Sequence, residues 1–162
     1  MATQPGKTRK VYVDASVFGG AFDEEFTEDS RAFFDQVVQG RFAILTSGLV
    51  ADELAQAPAE VRELFERLLA KAELVAVDAS ALALQAAYLD AGILTPTWAD
   101  DALHVALATV AGADLIVSWN FRHIVHFEKV PRYNAVNALH GYRELAIHSP
   151  SEVIAYEDDE EV

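Results

Sequence analysis

Three carboxylic acids and one amide stand in this sequence where packing alone gives them little use. Asp14 ends the apolar run Val-Tyr-Val at 11–13, and Glu53 follows the apolar segment Ala-Ile-Leu-Thr-Ser at 43–47. Asp101 heads Ala-Leu-His-Val-Ala-Leu-Ala, and Asn120 closes Leu-Ile-Val-Ser-Trp-Asn. An ionised carboxylate buried without a partner costs several kcal/mol or gives up its charge. Three that converge on one pocket repel one another unless a divalent cation joins them. Hard oxygen donors of this kind suit Mg2+ or Mn2+.

The elements that must position these groups follow from apolar runs and breakers. Residues 11–14 read as a short buried strand, stopped by polar residues and glycine from Ser16 to Gly20, with Gly19-Gly20 read as a turn. A helix is expected from about 28 to 39, with Phe33, Phe34, Val37 and Val38 inward and Gly40 at its end. Residues 42–46 read as a second buried strand, followed by helices near 48–57 and 59–71 around Pro58. A third strand is expected at 73–77, then a helix over 79–91. Thr95-Pro96-Thr97 opens a helix to about 111, and 114–118 is a fourth strand. Residues 131–141 look helical, 145–148 is a fifth, edge strand, and Ser149-Pro150 starts a last helical turn. Apolar strands separated by helices mean a three-layer α/β/α sandwich around a central, mainly parallel sheet. Such sheets bind ligands beyond the carboxyl ends of their strands. Asp14, Ser16, Ser118 and Asn120 all fall there, and Glu53, two turns into its helix, looks over the same edge.

Composition narrows the rest. The 162 residues suit one domain, and a hydrophobic share of 52% supports a sizeable core. With no cysteine there is neither a disulfide nor a thiolate metal site. No apolar run spans a membrane, and the basic opening residues lead into no apolar stretch of the signal-peptide kind, so a cytoplasmic protein is expected. Residues 1–10 read as a flexible N-terminus, 11–155 as the folded domain, and Tyr-Glu-Asp-Asp-Glu-Glu-Val at 156–162 as an acidic disordered tail. The net charge of −14 repels phosphate backbones. A nucleic-acid enzyme with this balance needs cations in its site, a local basic rim, or a basic partner.

The motifs taken together resemble the PIN-domain family, the metal-dependent nucleases that include the toxin half of VapBC-type toxin–antitoxin pairs. The likeness runs from about 11 to 154. Asp14-Ala15-Ser16 matches the family's Asp-x-Ser/Thr after the first strand, and Glu53 in Val-Ala-Asp-Glu-Leu occupies the place of its helical Glu. Asp101-Ala102-Leu103-His104-Val105-Ala106-Leu107-Ala108 matches Asp-Ala-Leu-x-x-Ala-x-Ala. Gly112 to Asn120 follows the family's Gly-x-x-Leu-Val-Thr-x-Asp/Asn with one extra residue. Ser-Trp-Asn-Phe-Arg-His at 118–123 and Asn-Ala-Leu-His-Gly-Tyr at 137–142 look like one branch of that family. The resemblance implies Mg2+- or Mn2+-dependent hydrolysis of RNA, with Asp14, Glu53, Asp101 and Asn120 as catalytic and metal-holding residues. Ser16 and Ser118 would then hydrogen-bond the carboxylates. It also implies a small basic antitoxin as partner, and a homodimer.

Each residue has a plainer reading. Asp14 can begin an Asx-turn, and Asp52 can do the work of Glu53, although helix phase places Glu53 beside Leu49 and Val50. Thr97-Trp98-Ala99-Asp100 fits a capping box, which would occupy Asp100 and leave Asp101 free. Asn120 adds no charge, so it can merely end its strand. His104, His123, His126, His140 and His148 show no tight ligand spacing, which makes zinc a poor reading. Trp119 and Arg122 are the possible substrate contacts, by base stacking and phosphate pairing, and Arg132 is a second phosphate candidate. Asn120 and the charge of −14 keep open the alternative of a PIN-fold protein with weak or no catalysis that binds a partner or nucleic acid. A phosphatase of the haloacid dehalogenase type fits worse, because it expects Asp-x-Asp where this chain has Asp14-Ala15-Ser16.

Overall fold

The computed structural model describes residues 8–155. The acidic tail at 156–162 lies outside the described residues, as do the first seven positions of the expected flexible N-terminus. Arg9 and Lys10, placed in that terminus by sequence, instead open the first strand. β1 spans Arg9–Val13, β2 Phe42–Ser47, β3 Glu73–Val75, β4 Leu115–Val117 and β5 Ala146–His148. They form one sheet in the order β3-β2-β1-β4-β5, and every neighbouring pair is parallel. The sheet is therefore parallel throughout, where sequence supported only mainly parallel.

Helices cover both faces, as the unbroken apolar strands require. α1 (Ala15–Gly20), α2 (Thr27–Val38), α3 (Gly48–Leu54) and α4 (Ala59–Leu69) connect β1, β2 and β3, and α1 touches the other three. α5 (Ala79–Asp90), α6 (Ala99–Val110) and α7 (Lys129–Leu139) pack around the other half, with α5 touching both α6 and α7. The short α8 (Pro150–Val153) returns to α2. Eight consecutive residues of α6, from Ala102 to Thr109, are buried. A helix apolar all round belongs inside a larger body, so any polar group on it must find an internal partner.

Val38, expected to face inward, is 69% exposed at the end of α2. Two further local expectations fail for identifiable reasons. Residues 16–20 are not a turn: they belong to α1. Val17 and Phe18 are buried there, and Phe18 meets Phe34 and Phe65 at ring distances of 5.2 Å each, so tertiary packing overrides two glycines. Gly20 is required by close approach, because a Cβ there would lie 2.7 Å from Ser30 Oγ and 2.8 Å from Trp119 Nε1. The second failure is the capping box at Thr97. Pro96–Trp98 form a 3-10 turn and α6 starts at Ala99 with no side-chain cap. Asp100 and Asp101 sit in its first turn, where the helix dipole favours negative charge.

The chain leaves β1 toward β2 and β3 on one side and later returns to β4 and β5 on the other. The switch point of this sheet is thus the crevice between the carboxyl ends of β1 and β4, the place where open α/β sheets bind ligands. Asp14 closes β1 at that crevice, its N–H reaching Val117 O at 3.4 Å.

Candidate active site at the carboxyl edge of the sheet

Asp14 caps α1 while its side chain is 96% withdrawn from solvent, with only 4% exposed. Oδ1 accepts from Ser16 N at 3.1 Å and Ser16 Oγ at 2.5 Å, and Oδ2 accepts from Ser118 Oγ at 2.6 Å. Burial pushes the carboxyl above its ordinary pKa. His104 and the two serine hydroxyls oppose that rise, and the Glu53 charge adds to it. The serines are themselves fixed: Trp119 N donates to Ser16 Oγ and Asn120 N to Ser118 Oγ, both at 2.9 Å. The Asx-turn reading and the site reading of Asp14 thus coexist, since one residue caps a helix and presents a buried carboxylate.

A second arm reaches the edge from α3 and α6. His104, 2% exposed on the buried helix, pairs through Nε2 with Glu53 Oε1 and through Nδ1 with Tyr12 OH at 2.8 Å. Tyr12 OH also meets Ser47 Oγ at 2.8 Å. Burial drives the Tyr12 phenol far above its ordinary pKa, so it stays neutral and serves as a hydrogen-bonding strut. For His104, burial disfavours the charged ring, yet the hydrogen bond to Glu53 and the charges of Asp14, Glu53 and Asp101 raise its pKa above the usual imidazole value. Glu53 is thus the carboxylate in contact with this imidazole, while Asp14 and Asp101 act on it through their charge. Sequence reasoning passed over His104 as one of five scattered histidines. The signal was present: a polar residue one turn after Asp101, inside an apolar helix that must satisfy it.

A third arm links Asp101 to the loop after β4. His123 Nδ1 lies 2.7 Å from Asp101 Oδ2. Asn120 Oδ1 accepts from His123 N at 2.9 Å, which turns that oxygen toward its own loop. Asp14, Ser118, Asn120, His123 and Asp101 thus form a continuous path of contacts. Asp52, the rival of Glu53, is exposed, whereas Glu53 holds His104. Trp119 is occupied by packing: its ring stacks on Phe26 at 4.4 Å and Nε1 donates to Ser30 Oγ at 2.8 Å. Phe26 therefore takes one face of the ring on which a base could stack. Arg122 is exposed and lies over Trp98, 5.3 Å from the ring centroid.

The donor set is hard oxygen, three carboxylates and an amide, which suits Mg2+ or Mn2+ in chemistry. Its placement is less gathered. Glu53 and Asp101 face imidazoles, and among the described residues no three Asp, Glu or His side chains stand close enough to hold one ion between them. No helix among the described residues is long and apolar enough to cross a membrane.

No protein-family model matches this sequence, and no curated protein does. Solved structures match in fold. VapBC2 from Rickettsia felis, bound to a DNA fragment from its promoter, superposes with a TM-score of 0.58 at 13% identity, over 86% of this chain and 98% of the other. FitAcB from Neisseria gonorrhoeae gives a TM-score of 0.55 at 15% identity, over 88% of this chain and 99% of the other. At these identities the likeness is one of architecture: a five-stranded parallel α/β/α sandwich of the kind those proteins share, with the carboxylates of this chain at its switch point.

Proposed function

We propose that this protein is a divalent-metal-dependent ribonuclease that works as the toxin of a toxin–antitoxin pair. One observation carries the reading: at the switch point of the sheet a continuous path of contacts joins Asp14 to Asp101 through Ser118, Asn120 and His123, and Glu53 pairs with the buried His104 one turn along α6 from Asp101. The fold likeness to VapBC2 and FitAcB supports the pairing with an antitoxin, and a net charge of −14 suits a small basic partner. A second copy of the chain is the other partner to be sought, by light scattering.

Asp14, Asp101 and Asn120, with Glu53, are the donors that would have to draw together to hold Mg2+ or Mn2+, which when bound would activate a water and neutralise charge developing on a phosphate. The chain's own groups do the rest. Ser16 and Ser118 fix the Asp14 carboxylate in one orientation, so that it meets a ligand without rotamer loss. His104 holds Glu53 at the rim, and His123 holds Asp101. Tyr12 fixes the far side of the His104 ring from inside the sheet.

The test is a single-stranded oligoribonucleotide incubated with Mn2+ or with chelator, using wild type and Asp14→Asn. Cleavage by wild type in Mn2+ alone, lost in the variant, is the expected result. Cleavage that survives Asp14→Asn would overturn the assignment.

A second reading rests on Asn120, whose Oδ1 bonds its own loop. On that reading the protein binds a partner or nucleic acid with weak or no catalysis. Asn120→Asp separates the two. Calorimetric Mn2+ titration shows tighter binding if position 120 faces the ion, and unchanged or weaker binding if the residue only closes the loop.

A further inference from the structure

A basic stretch in this acidic chain borders the site. Residues 121–132 read Phe-Arg-His-Ile-Val-His-Phe-Glu-Lys-Val-Pro-Arg, with Arg122, Lys129 and Arg132 against the single acid Glu128. The whole chain carries 26 Asp and Glu against 12 Lys and Arg. Arg122, His123, His126 and Lys129 line a hollow of about 470 Å³ together with Trp98 and the buried side chains of Ile93 and Leu94. That volume falls within the range of small-ligand sites. Arg132 lies just beyond it, donating to Ala91 O at 2.9 Å.

Two features make this hollow more than a basic patch. His123 is a shared wall: one ring atom meets Asp101 at 2.7 Å, and the ring packs on Trp98 with centroids 4.4 Å apart. Arg122 lies over the same Trp98, which is 39% exposed, so the indole backs a planar guanidinium whose outer face is open to solvent. Planar guanidinium and aromatic groups are the surfaces on which unpaired bases stack, and Arg and Lys pair the phosphates between them.

We propose that this hollow binds a nucleotide of single-stranded RNA beside the bond presented to Asp14 and Asp101, with its base on the Arg122–Trp98 platform and its phosphate toward Arg122 and Lys129. The inference rests on the ribonuclease reading above and adds to it the residues that seat the strand. It also supplies the basic rim that an acidic nuclease needs.

The test measures fluorescence anisotropy of a labelled single-stranded oligoribonucleotide in chelator, so that binding is read without cleavage. Arg122→Gln/Lys129→Gln is compared with Arg67→Gln/Lys71→Gln, which removes the same charge beside the groove between α2 and α4. The first pair should weaken binding about tenfold or more. It should also flatten the salt dependence by about 1.4 in log–log slope, at about 0.7 per single-strand phosphate contact. The second pair should leave both unchanged. Arg122→Lys should recover the salt slope but not the affinity, because it keeps the charge and loses the plane. Equal weakening by the two double variants would overturn the proposal, since net charge alone would then explain it. So would a polyglutamate peptide that binds tighter than the RNA through Arg122 and Lys129, which would mark a seat for an acidic protein segment. Mn2+-dependent cleavage is read separately. Undiminished kcat/KM in Arg122→Gln/Lys129→Gln would overturn the proposal while leaving the Asp14 chemistry standing. Binding that needs both residues, with no cleavage by wild type, would uphold the hollow and remove the nuclease reading.

Discussion

The acids at the sheet edge are held in two different ways. Asp14 is buried and held by neutral donors, one backbone N–H and two serine hydroxyls. Glu53 and Asp101 are less buried, with side chains 34% and 20% exposed, and each faces an imidazole. Glu152 offers a third case. It accepts from Ser149 N at 3.0 Å and Ser149 Oγ at 3.3 Å, donors of the same kinds as those of Asp14, yet its pKa is lowered where that of Asp14 is raised. Glu152 also has the His148 imidazole 3.5 Å away, and it is far less buried. At the surface, with a basic neighbour, such bonds win; inside the protein, burial outweighs them. Among the three site acids Asp14 therefore has the most to gain from a cation.

The largest expected effect breaks that asymmetry directly. Asp14→Asn removes the uncompensated charge at nearly constant shape. Wild type with Mn2+ at 100 times its dissociation constant should gain about 2.7 kcal/mol, read as an upward shift in melting temperature, and the variant should show none. An equal shift in both proteins would place the ion elsewhere. His104→Leu tests the imidazole arm. It strips Glu53 and Tyr12 of a shared partner and should cost about 2 kcal/mol in chemical denaturation, the scale of leaving a buried polar group unsatisfied. A loss below a few tenths would mean that the arm is not coupled to the core.

Gly20→Ala sharpens the hydroxyl side, because the new methyl would strike Ser30 and Trp119, which support the loop carrying Ser118. It should cost about 1–3 kcal/mol by overpacking, with quenching or shift of tryptophan emission as an independent readout. The smallest effect belongs to Glu152→Gln. The folded pKa of Glu152 lies below its unfolded value, so the ionised side chain stabilises the fold above the ordinary carboxylate pKa. That contribution fades as pH falls through the folded value. Melting curves of wild type and variant should differ slightly at neutral pH and converge near pH 3. A gap that widens on acidification would reverse the sign and refute the assignment.

The framework was legible because it depends on strong local signals. Val11–Val13, Ala43–Thr46 and Leu115–Val117 are apolar runs that no helix period explains, and they became the three central strands. Asp14 and Asn120 were singled out by their places at or just past the ends of those runs, and Glu53 and Asp101 by their places on helices. What stayed hidden depends on contacts between distant segments. α1 looks like a turn from Ser16 to Gly20 because only the burial of Val17 and Phe18 makes it a helix. The pairing of His104 with Glu53 joins residues 51 apart in sequence. Trp119 seemed available for stacking because nothing local announces that Phe26 will cover it. β3 was expected to reach 77 and stops at Val75, an edge strand with little apolar surface to extend it.

Asp14 meets Ser16 two residues away but Ser118 only across 104. A ribosome adding about 5–20 residues per second makes the first contact at once and the second on the order of ten seconds later. During that interval a nascent chain holds the buried acid without β4, without the His123 loop and without the hollow beside it. Its edge is then a carboxylate next to an unfinished sheet. The cluster of contacts is complete only when nearly the whole domain has emerged, so a truncated or half-translated chain lacks it.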